Sequence, residues 1–194
     1  MATPPLDLLA AHAAANPDKL AVIDDRPGHP LLAWSFAELN RQANRLGNAL
    51  LGLGVRPGET VLWCGTNSPG VVRMMHAARK AGVTSVPLNY RLTPEEAAYI
   101  VDDSDAVAVY ADAEFAAHFA QVRPHTPKVR YWLAYGESAR TDMIDAVALV
   151  AQGVARLASC TTADRGVRGG HRAGEHPDGD AGLGRLHPDA EPRR

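Results

Sequence analysis

The sequence predicts an α/β fold: a short hairpin, then a partial parallel sheet of (βα)n type, then a disordered C-terminal tail. Two observations predict it. From residue 59 onward, short apolar runs alternate with helix-forming segments, the pattern of parallel strands joined by right-handed crossovers. After residue 153 the alternation stops, and too few apolar side chains follow to offset the entropy of ordering. We therefore expect one domain over residues 1–153 and a disordered tail over residues 154–194.

Composition and charge exclude several classes of partner. Apolar residues make up 46% of the chain and charged residues 22%, with a net charge of -2. A net charge this close to zero does not indicate binding to nucleic acid or to an anionic membrane. No apolar run approaches the roughly 18 residues of a membrane span, and the N-terminal residues lack the basic start of a signal peptide. Cys64 and Cys160 are too few for a disulfide framework, so we expect a cytoplasmic protein.

The first 50 residues predict a helix, a hairpin and a second helix. LDLLAAHAAA (6–15) is a short helix, and LAVID (20–24) and LLAW (31–34) are the strands of the hairpin. Ser35 is the N-cap of the second helix, and Glu38, three residues later, completes a capping box. The buried face of this helix follows the spacing of three and four residues at Phe36, Leu39, Ala43, Leu46 and Leu50.

The alternation that follows defines the sheet. Strands are predicted at 60–64, 83–88, 106–110 and 129–135. Helices are predicted from Ser68 to about 81, from 94 to 103 and over 112–120, and a last amphipathic piece covers 143–153. The run TVLWC (60–64) is almost continuously apolar, as expected for a strand that is covered on both faces.

The candidate site lies where the second of these strands ends. In open α/β sheets, ligands bind at the carboxyl ends of the strands, and Asn89, Tyr90 and Arg91 follow such an end directly. They are the candidate cleft-lining residues. The alternative is that Asn89 and Arg91 satisfy backbone groups in a crossing loop. Gly65–Ser68 occupies the same position after the preceding strand, where Ser68 is better explained as an N-cap than as a ligand.

No set of residues predicts a metal site or a catalytic centre. Asp102, Asp103 and Asp105 are acidic neighbours, but without a loop of oxygen ligands they fit a helix terminus and a turn. The histidines of the tail, together with Cys160, have the spacing of no zinc motif; they are His171, His176 and His187. We therefore expect no catalytic, cofactor-binding or metal-binding residue.

Two stretches resemble the N-terminal region of adenylate-forming acyl-CoA synthetases. LLAWSFAELNRQANRLGNALLGLGVRPGETVLWCGTNSP is similar to the family's strand, (S/T)-x-x-EL helix, L-G-V turn and buried strand. ARKAGVTSVPLNYRLTPEEAAYIVDDSDAVAVYAD is similar to the family's next block, in which KAG, V-P-L-N, R-L, a helix and D-S follow in order. The resemblance extends from about Leu6 to about Gly153.

The resemblance implies a two-step reaction. A carboxylic acid and Mg-ATP give an acyl-adenylate and pyrophosphate, and coenzyme A then takes the acyl group. In the family, a Ser/Thr/Gly loop with a lysine holds the phosphates. The segment most similar to this loop is Ser159-Cys160-Thr161-Thr162. It lacks the glycines and the lysine, and no lysine follows Lys128. We therefore expect no ATP, Mg or CoA chemistry from this chain alone, although the family uses all three.

Three interpretations follow from this departure. The first is an N-terminal fragment of an acyl-CoA synthetase whose tail, from about Val154, is translated out of frame; the rival for the tail alone is a genuine disordered C-terminus. The second is a non-catalytic α/β module that binds an acyl or CoA ligand, or a partner synthetase. The third is an unstable product with an uncovered apolar face and an unpaired sheet edge.

Overall fold

The computed structural model describes residues 7–28, 30–136 and 142–152. They form a two-stranded antiparallel hairpin and a five-stranded parallel sheet with helices on both faces. This confirms the predicted α/β class. The predicted tail at 154–194, with Cys160 and its neighbouring histidines, lies outside the described residues.

The elements lie close to their predicted positions. The helices are α1 Leu8–Ala15, α2 Phe36–Gly52, α3 Pro69–Ala81, α4 Pro94–Asp103, α5 Ala116–Val122 and α6 Ala146–Gln152. The strands are β1 Leu20–Asp24, β2 Leu32–Ser35, β3 Thr60–Cys64, β4 Thr84–Leu88, β5 Ala106–Asp112, β6 Tyr131–Tyr135 and β7 Ile144–Asp145.

Two segments differ from the prediction. The segment predicted as a helix over 112–120 begins instead as the last residue of β5 and a 3-10 turn, Ala113–Phe115, because the Asp112 carboxylate accepts a hydrogen bond from the Glu114 amide at 3.3 Å. The piece predicted over 143–153 starts as the two-residue strand β7 before α6 begins. The Asp145 carboxylate accepts the Val147 and Ala148 amides, at 2.8 and 3.0 Å, and so marks the change from strand to helix.

The sheet has the strand order β4-β3-β5-β6-β7, and all its strands are parallel. The chain leaves β3, forms β4 on one side, and returns to form β5 on the other side of β3. Because crossovers between parallel strands are right-handed, this reversal places the two connecting helices on opposite faces of the sheet. We call them the α3 face and the α4 face.

The centre of the sheet is buried on both faces, as the continuous apolar run of β3 predicts. Val61 and Leu62 are both fully buried, and they point to opposite faces. Val61 belongs to the core on the α3 face, which α2, α3 and α6 cover. Leu62 belongs to the core on the α4 face, which α4 and α5 cover.

The helix N-termini test the predicted capping box. Ser35 Oγ accepts a hydrogen bond from the Glu38 amide at 3.3 Å, so the predicted N-cap of α2 is confirmed. The second bond of the predicted capping box, from the Ser35 amide to the Glu38 side chain, is wrong. The Glu38 carboxylate accepts a hydrogen bond from the Gln42 side chain at 2.7 Å instead. A complete capping box forms at α4, where Thr93 and Glu96 exchange hydrogen bonds of 3.3 and 2.9 Å.

The hairpin packs against α1 and α2 through one of its faces. Val22 and Trp34 lie opposite each other in the register and pack on the core of Leu9, Leu39 and Ala43. A hairpin of two strands is at best marginally stable in water. This packing is therefore what holds it against the rest of the chain.

Candidate functional site

The carboxyl ends of the parallel strands define one edge of the sheet, which we call the carboxyl edge. The strand order reverses between β3 and β5, so the loops that leave these two strands, Gly65–Ser68 and Ala113–Phe115, diverge to opposite faces. Such a switch point opens a crevice in which α/β proteins bind ligands. The structure therefore places the candidate site between β4, β3, β5 and β6 at this edge.

On the α3 face, the chain itself fills the crevice. The Tyr135 ring, at the end of β6, stacks on Tyr110 with centroids 4.5 Å apart and planes 15° apart. It also lies directly on two glycines: a β-carbon on Gly65 would overlap the Tyr135 hydroxyl, and one on Gly70 would lie 2.5 Å from Cδ2 of the ring. The absence of these two side chains creates the space that Tyr135 occupies.

Buried polar groups surround this ring. Arg73, which is 7% exposed, donates from Nη2 to the Tyr110 hydroxyl at 2.8 Å. The hydroxyls of Tyr135 and Ser68 are buried, and neither has an aligned hydrogen-bond partner among the described residues. Burial raises the pKa of the Tyr135 phenol, and the neighbouring Ser68 hydroxyl only partly opposes this rise. The uncharged Tyr135 side chain therefore fills this side of the crevice.

On the α4 face, the crevice carries a half-buried aromatic pair beside an exposed guanidinium. Tyr90 stacks on Phe115 with centroids 5.3 Å apart and planes 28° apart. The Arg91 guanidinium carbon lies 5.4 Å from the centre of the Tyr90 ring. Tyr90 is half-buried against the α4-face core, whereas Arg91 is exposed. We call Arg91, Tyr90 and Phe115 the aromatic stack.

The three predicted cleft-lining residues have different roles in this geometry. Tyr90 and Arg91 belong to the aromatic stack. Asn89 instead closes a turn, because its Oδ1 accepts a hydrogen bond from the Arg91 amide at 3.0 Å. The alternative reading, in which a side chain satisfies the backbone of the crossing loop, therefore describes Asn89.

A half-buried aromatic pair beside an exposed guanidinium suits one class of ligand. Aromatic side chains stack on nucleobases of any kind, and a guanidinium donates paired hydrogen bonds to phosphate. The Arg91 cation is also attracted to the Tyr90 ring, which keeps it close to the stack. The arrangement is chemically suited to a nucleotide whose base and phosphate are about as far apart as the Tyr90 ring and the Arg91 guanidinium.

The hairpin reaches the same edge through Arg26. Its Nε and Nη2 each donate to the Asp24 carboxylate at 2.8 Å, and its Nη1 lies 3.5 Å from Thr66 Oγ1 in the loop after β3. The hydrogen bonds that Arg26 donates to the Asp24 carboxylate raise the pKa of Arg26, and Asp112 adds to the rise. Arg26 therefore stays charged and connects the hairpin to the carboxyl edge.

Cys64, the last residue of β3, lies beneath this edge and is fully buried. Burial raises the pKa of its thiol to about 12, with additional contributions from Asp112 and Glu114. The thiolate is the nucleophilic form of cysteine. Cys64 is therefore a buried apolar group rather than a nucleophile.

The remaining candidates have structural roles. Ser68 is at the N-cap position of α3, but its side chain makes no cap bond. Asp102 and Asp105 pair with Lys128 at 3.2 and 2.8 Å, which fits a helix terminus held by a surface lysine.

Within the described ranges, no group of three or more His, Cys, Asp or Glu side chains is placed to hold a metal ion. Among the helices of the same ranges, none has the length and apolar character needed to cross a membrane.

Sequence reasoning missed four residues of this edge. Asp112 is the last residue of β5 and Phe115 lies in the turn that follows, so the same strand-end rule could have found them. Tyr135 and Arg26 gave no such signal, because the groups they contact lie far away along the chain: Tyr135 meets Gly65 and Gly70, and Arg26 meets Thr66.

The fold and the carboxyl-edge crevice define an open α/β protein with a parallel sheet, and comparison with known proteins identifies its family. The model of the AMP-binding enzyme family matches residues 9–169. The chain belongs to this family. A medium/long-chain-fatty-acid–CoA/3-oxocholest-4-en-26-oate–CoA ligase of Mycobacterium marinum is 35% identical over 138 residues, and a 3-hydroxybenzoate–CoA ligase of Aromatoleum is 36% identical over 88.

Solved structures agree with these sequence matches. The anthranilate CoA ligase AuaEII, determined with anthranoyl-AMP, superposes with a TM-score of 0.74 at 26% identity, over 82% of this chain and 30% of its own. The stretch matched to the Mycobacterium marinum ligase covers 69% of this chain but 24% of that protein, and the Aromatoleum match covers 45% and 17%. This chain thus corresponds to an N-terminal part of much longer acyl-CoA ligases.

Replacing Gly70 with alanine should destabilise the protein by about 1–3 kcal/mol, because the new methyl group would overlap the Tyr135 ring. Urea denaturation followed by circular dichroism measures this. Gly52→Ala is the matched control: nothing lies within 4 Å of a β-carbon there, so we expect a neutral or slightly stabilising effect of up to about 1 kcal/mol. Tyr135→Leu should relieve most of the Gly70→Ala penalty. Equal penalties in both backgrounds would show that the ring does not occupy this space.

Cys64 should not react with thiol reagents while the protein is folded. In a Cys160→Ser background, we expect no release of thionitrobenzoate at pH 8, since burial keeps Cys64 as a neutral thiol with a pKa of about 12. Reaction should begin only across the urea unfolding transition. Rapid stoichiometric labelling under native conditions would contradict the burial of β3.

Proposed function

We propose that this chain supplies the CoA-facing wall of an ATP-dependent acyl-CoA ligase, and that it does not form acyl-adenylates alone. The complete reaction would convert a carboxylic acid, ATP and CoA to acyl-CoA, AMP and pyrophosphate. The relatives are named as ligases of fatty, aromatic and carnitine-type acids, so the substrate class is a carboxylic acid. ATP and Mg would be held by groups that the 194 residues do not contain.

The aromatic stack is the observation that carries this proposal. CoA ends in an adenine nucleotide with phosphates close to the base, which matches the chemistry of Tyr90, Phe115 and Arg91. Because Tyr135 fills the α3 side of the crevice, the ligand in this proposal approaches from the α4 side. In this role Tyr90 stacks on the base and Arg91 neutralises a phosphate, while Asn89 sets the turn that presents them.

A second candidate is a non-catalytic α/β module that binds an acyl or CoA ligand, or a partner synthetase. One sequence observation favours it: no lysine follows Lys128, and no Ser/Thr/Gly loop with a lysine occurs anywhere in the chain. Binding without turnover is the property expected of such a module. Cytoplasmic location suits both candidates, since CoA and ATP are cytosolic metabolites.

We also propose that the tail is translated out of frame from about Val154. Its support is the loss of hydrophobic periodicity, with seven of the chain's 17 glycines falling after residue 165. The interval to inspect in the gene runs from codon 154 to codon 169, where the family match ends. A Ser/Thr/Gly-rich loop followed by lysine in another frame is the expected finding. The absence of such a loop from both other frames would contradict this proposal and favour a natural terminus.

The chain should bind CoA, and Tyr90→Ala should weaken this binding about tenfold or more, because stacking on a base contributes ~1–3 kcal/mol. Arg91→Ala should also weaken binding, and more strongly at low salt, since its contribution is electrostatic. Isothermal titration calorimetry measures both effects. Pantetheine, which lacks the nucleotide, should bind poorly and with the same affinity to all variants.

Two matched variants control for general effects. Tyr99→Ala removes another exposed aromatic, 70% exposed on α4, and Arg56→Ala removes an exposed cation in the turn before β3. Neither should change the affinity for CoA. Equal losses in these controls, or wild-type affinity in Tyr90→Ala and Arg91→Ala, would remove the stack from the proposed site.

The purified chain should give no ATP–pyrophosphate exchange with any fatty or aromatic acid, because it lacks the phosphate loop and its lysine. The assay follows labelled pyrophosphate into ATP, with a full-length acyl-CoA ligase as the positive control. Measurable exchange that survives extensive purification would contradict the proposed inactivity.

A further inference from the structure

Three buried polar groups around the first turn of α3 lack an aligned hydrogen-bond partner among the described residues. Arg73 is 7% exposed, and its Nε is buried and unpaired. The hydroxyl oxygens of Ser68 and Tyr135 are also buried and unpaired. Buried polar groups of folded proteins are normally hydrogen-bonded. Several unpaired groups in one place therefore indicate a binding site.

Direct contacts hold these groups together. Arg73 Nη2 donates to the Tyr110 hydroxyl at 2.8 Å, and that hydroxyl donates to the Gly70 carbonyl oxygen at 3.4 Å. The Tyr135 ring stacks on Tyr110 and lies against Gly70, and its hydroxyl neighbours that of Ser68. We call Ser68, Arg73, Tyr110 and Tyr135 the α3 polar cluster. The hydroxyl of Tyr110 is already used as acceptor and donor, so the unpaired groups are those of the other three residues.

The positive charge of this cluster is not balanced by an ion pair. In the described part of the chain, Arg73 pairs with no carboxylate. A buried charge without a charged partner is strongly unfavourable. Burial raises the pKa of the Tyr110 and Tyr135 phenols, and the nearby Asp112 adds to both rises. The two phenols therefore stay protonated and bring no negative charge to Arg73.

The N-terminus of α3 adds positive partial charge at the same place. Ser68 occupies the N-cap position, but its side chain makes no cap bond. A helix N-terminus presents backbone amides and the positive end of the helix dipole, which favour an anion. In the loop before the helix, Thr66 is half-buried and Asn67 is exposed. Solvent therefore reaches this end of the helix.

We infer that the α3 polar cluster binds a small tetrahedral oxyanion of the phosphate or sulfate class. The guanidinium of Arg73 can donate to two oxygens of such an anion, and the hydroxyls of Ser68 and Tyr135 can each donate to another. Donors from three side chains exceed the two oxygens of a carboxylate but match the four of a tetrahedral ion. A larger ligand is excluded, because the Tyr135 ring fills the space above Gly65 and Gly70.

This site is distinct from the proposed CoA site. The α3 polar cluster lies on the α3 face of the sheet, whereas the aromatic stack lies on the α4 face. The two sites share no residue. Loss of one therefore leaves the side chains of the other in place.

Titration of the ¹⁵N-labelled chain with inorganic phosphate, at constant ionic strength, tests the inference. Nuclear magnetic resonance should show saturable shifts of the amides of residues 66–68 and 70–71. Arg73→Met keeps the apolar stem and removes the charge, so it should weaken phosphate binding at least tenfold. Ser68→Ala should weaken it about two- to tenfold without loss of a helix cap, since Ser68 makes no cap bond. Arg79→Met is the matched control, because Arg79 is an exposed cation on the same helix, and should keep wild-type affinity.

Three results would overturn the inference. One is the absence of saturable shifts in the wild-type chain. Another is an equal response of wild type and Arg73→Met, including linear shifts in both, which is the general effect of a salt excluded from the protein surface. If circular dichroism shows that Arg73→Met does not fold, then unchanged phosphate affinity in both Ser68→Ala and Tyr135→Phe is the contradicting result. Tighter saturable binding of acetate than of phosphate would contradict the tetrahedral class.

CoA titration of the same preparations separates this inference from the proposed function. Arg73→Met should keep wild-type CoA affinity, and Arg91→Ala should keep wild-type phosphate affinity. Parallel loss of both ligands in either variant would contradict two separate sites.

Discussion

The burial of β3 on both faces is the constraint from which the rest of the structure follows. Val61 and Leu62 are fully buried on opposite sides, so helices must cover both faces of the sheet. The chain meets this requirement by placing β4 on one side of β3 and β5 on the other. That reversal opens a crevice at the carboxyl ends of the strands. The candidate site is therefore a consequence of how the central strand is covered.

The two sides of this crevice are chemically different. On the α3 face, Tyr135 occupies the space above Gly65 and Gly70, and its hydroxyl is buried without an aligned partner in the part of the chain that the structure describes. On the α4 face, the half-buried Tyr90 and Phe115 stack on each other, with the exposed Arg91 beside them. The positively charged group beside the aromatic pair is thus exposed on the α4 side, whereas Arg73 is buried on the α3 side. The proposed approach of a CoA nucleotide follows from this asymmetry.

Local patterns in the sequence predicted the elements, and contacts distant along the chain decided the site. The strands LAVID and TVLWC and the helix 94–103 have the predicted bounds, because their apolar spacing and capping residues lie within each segment. Glu38 was assigned to the wrong hydrogen bond because Gln42, one turn away, competes for its carboxylate. Phe115 and Tyr135 contribute through partners at least 25 residues away in sequence, and no local periodicity reports such contacts. Family membership depended on the order of several motifs and was recognisable from the sequence.

Nuclear magnetic resonance of the ¹⁵N-labelled chain during addition of CoA tests the central claim most directly, since it maps a ligand onto individual amides. The account predicts shifts confined to the loops of the α4 side of the carboxyl edge, residues 89–92 and 113–116, which saturate together. Shifts centred on the opposite edge, residues 56–59 and 82–84, or an unchanged spectrum at saturating CoA, would contradict it.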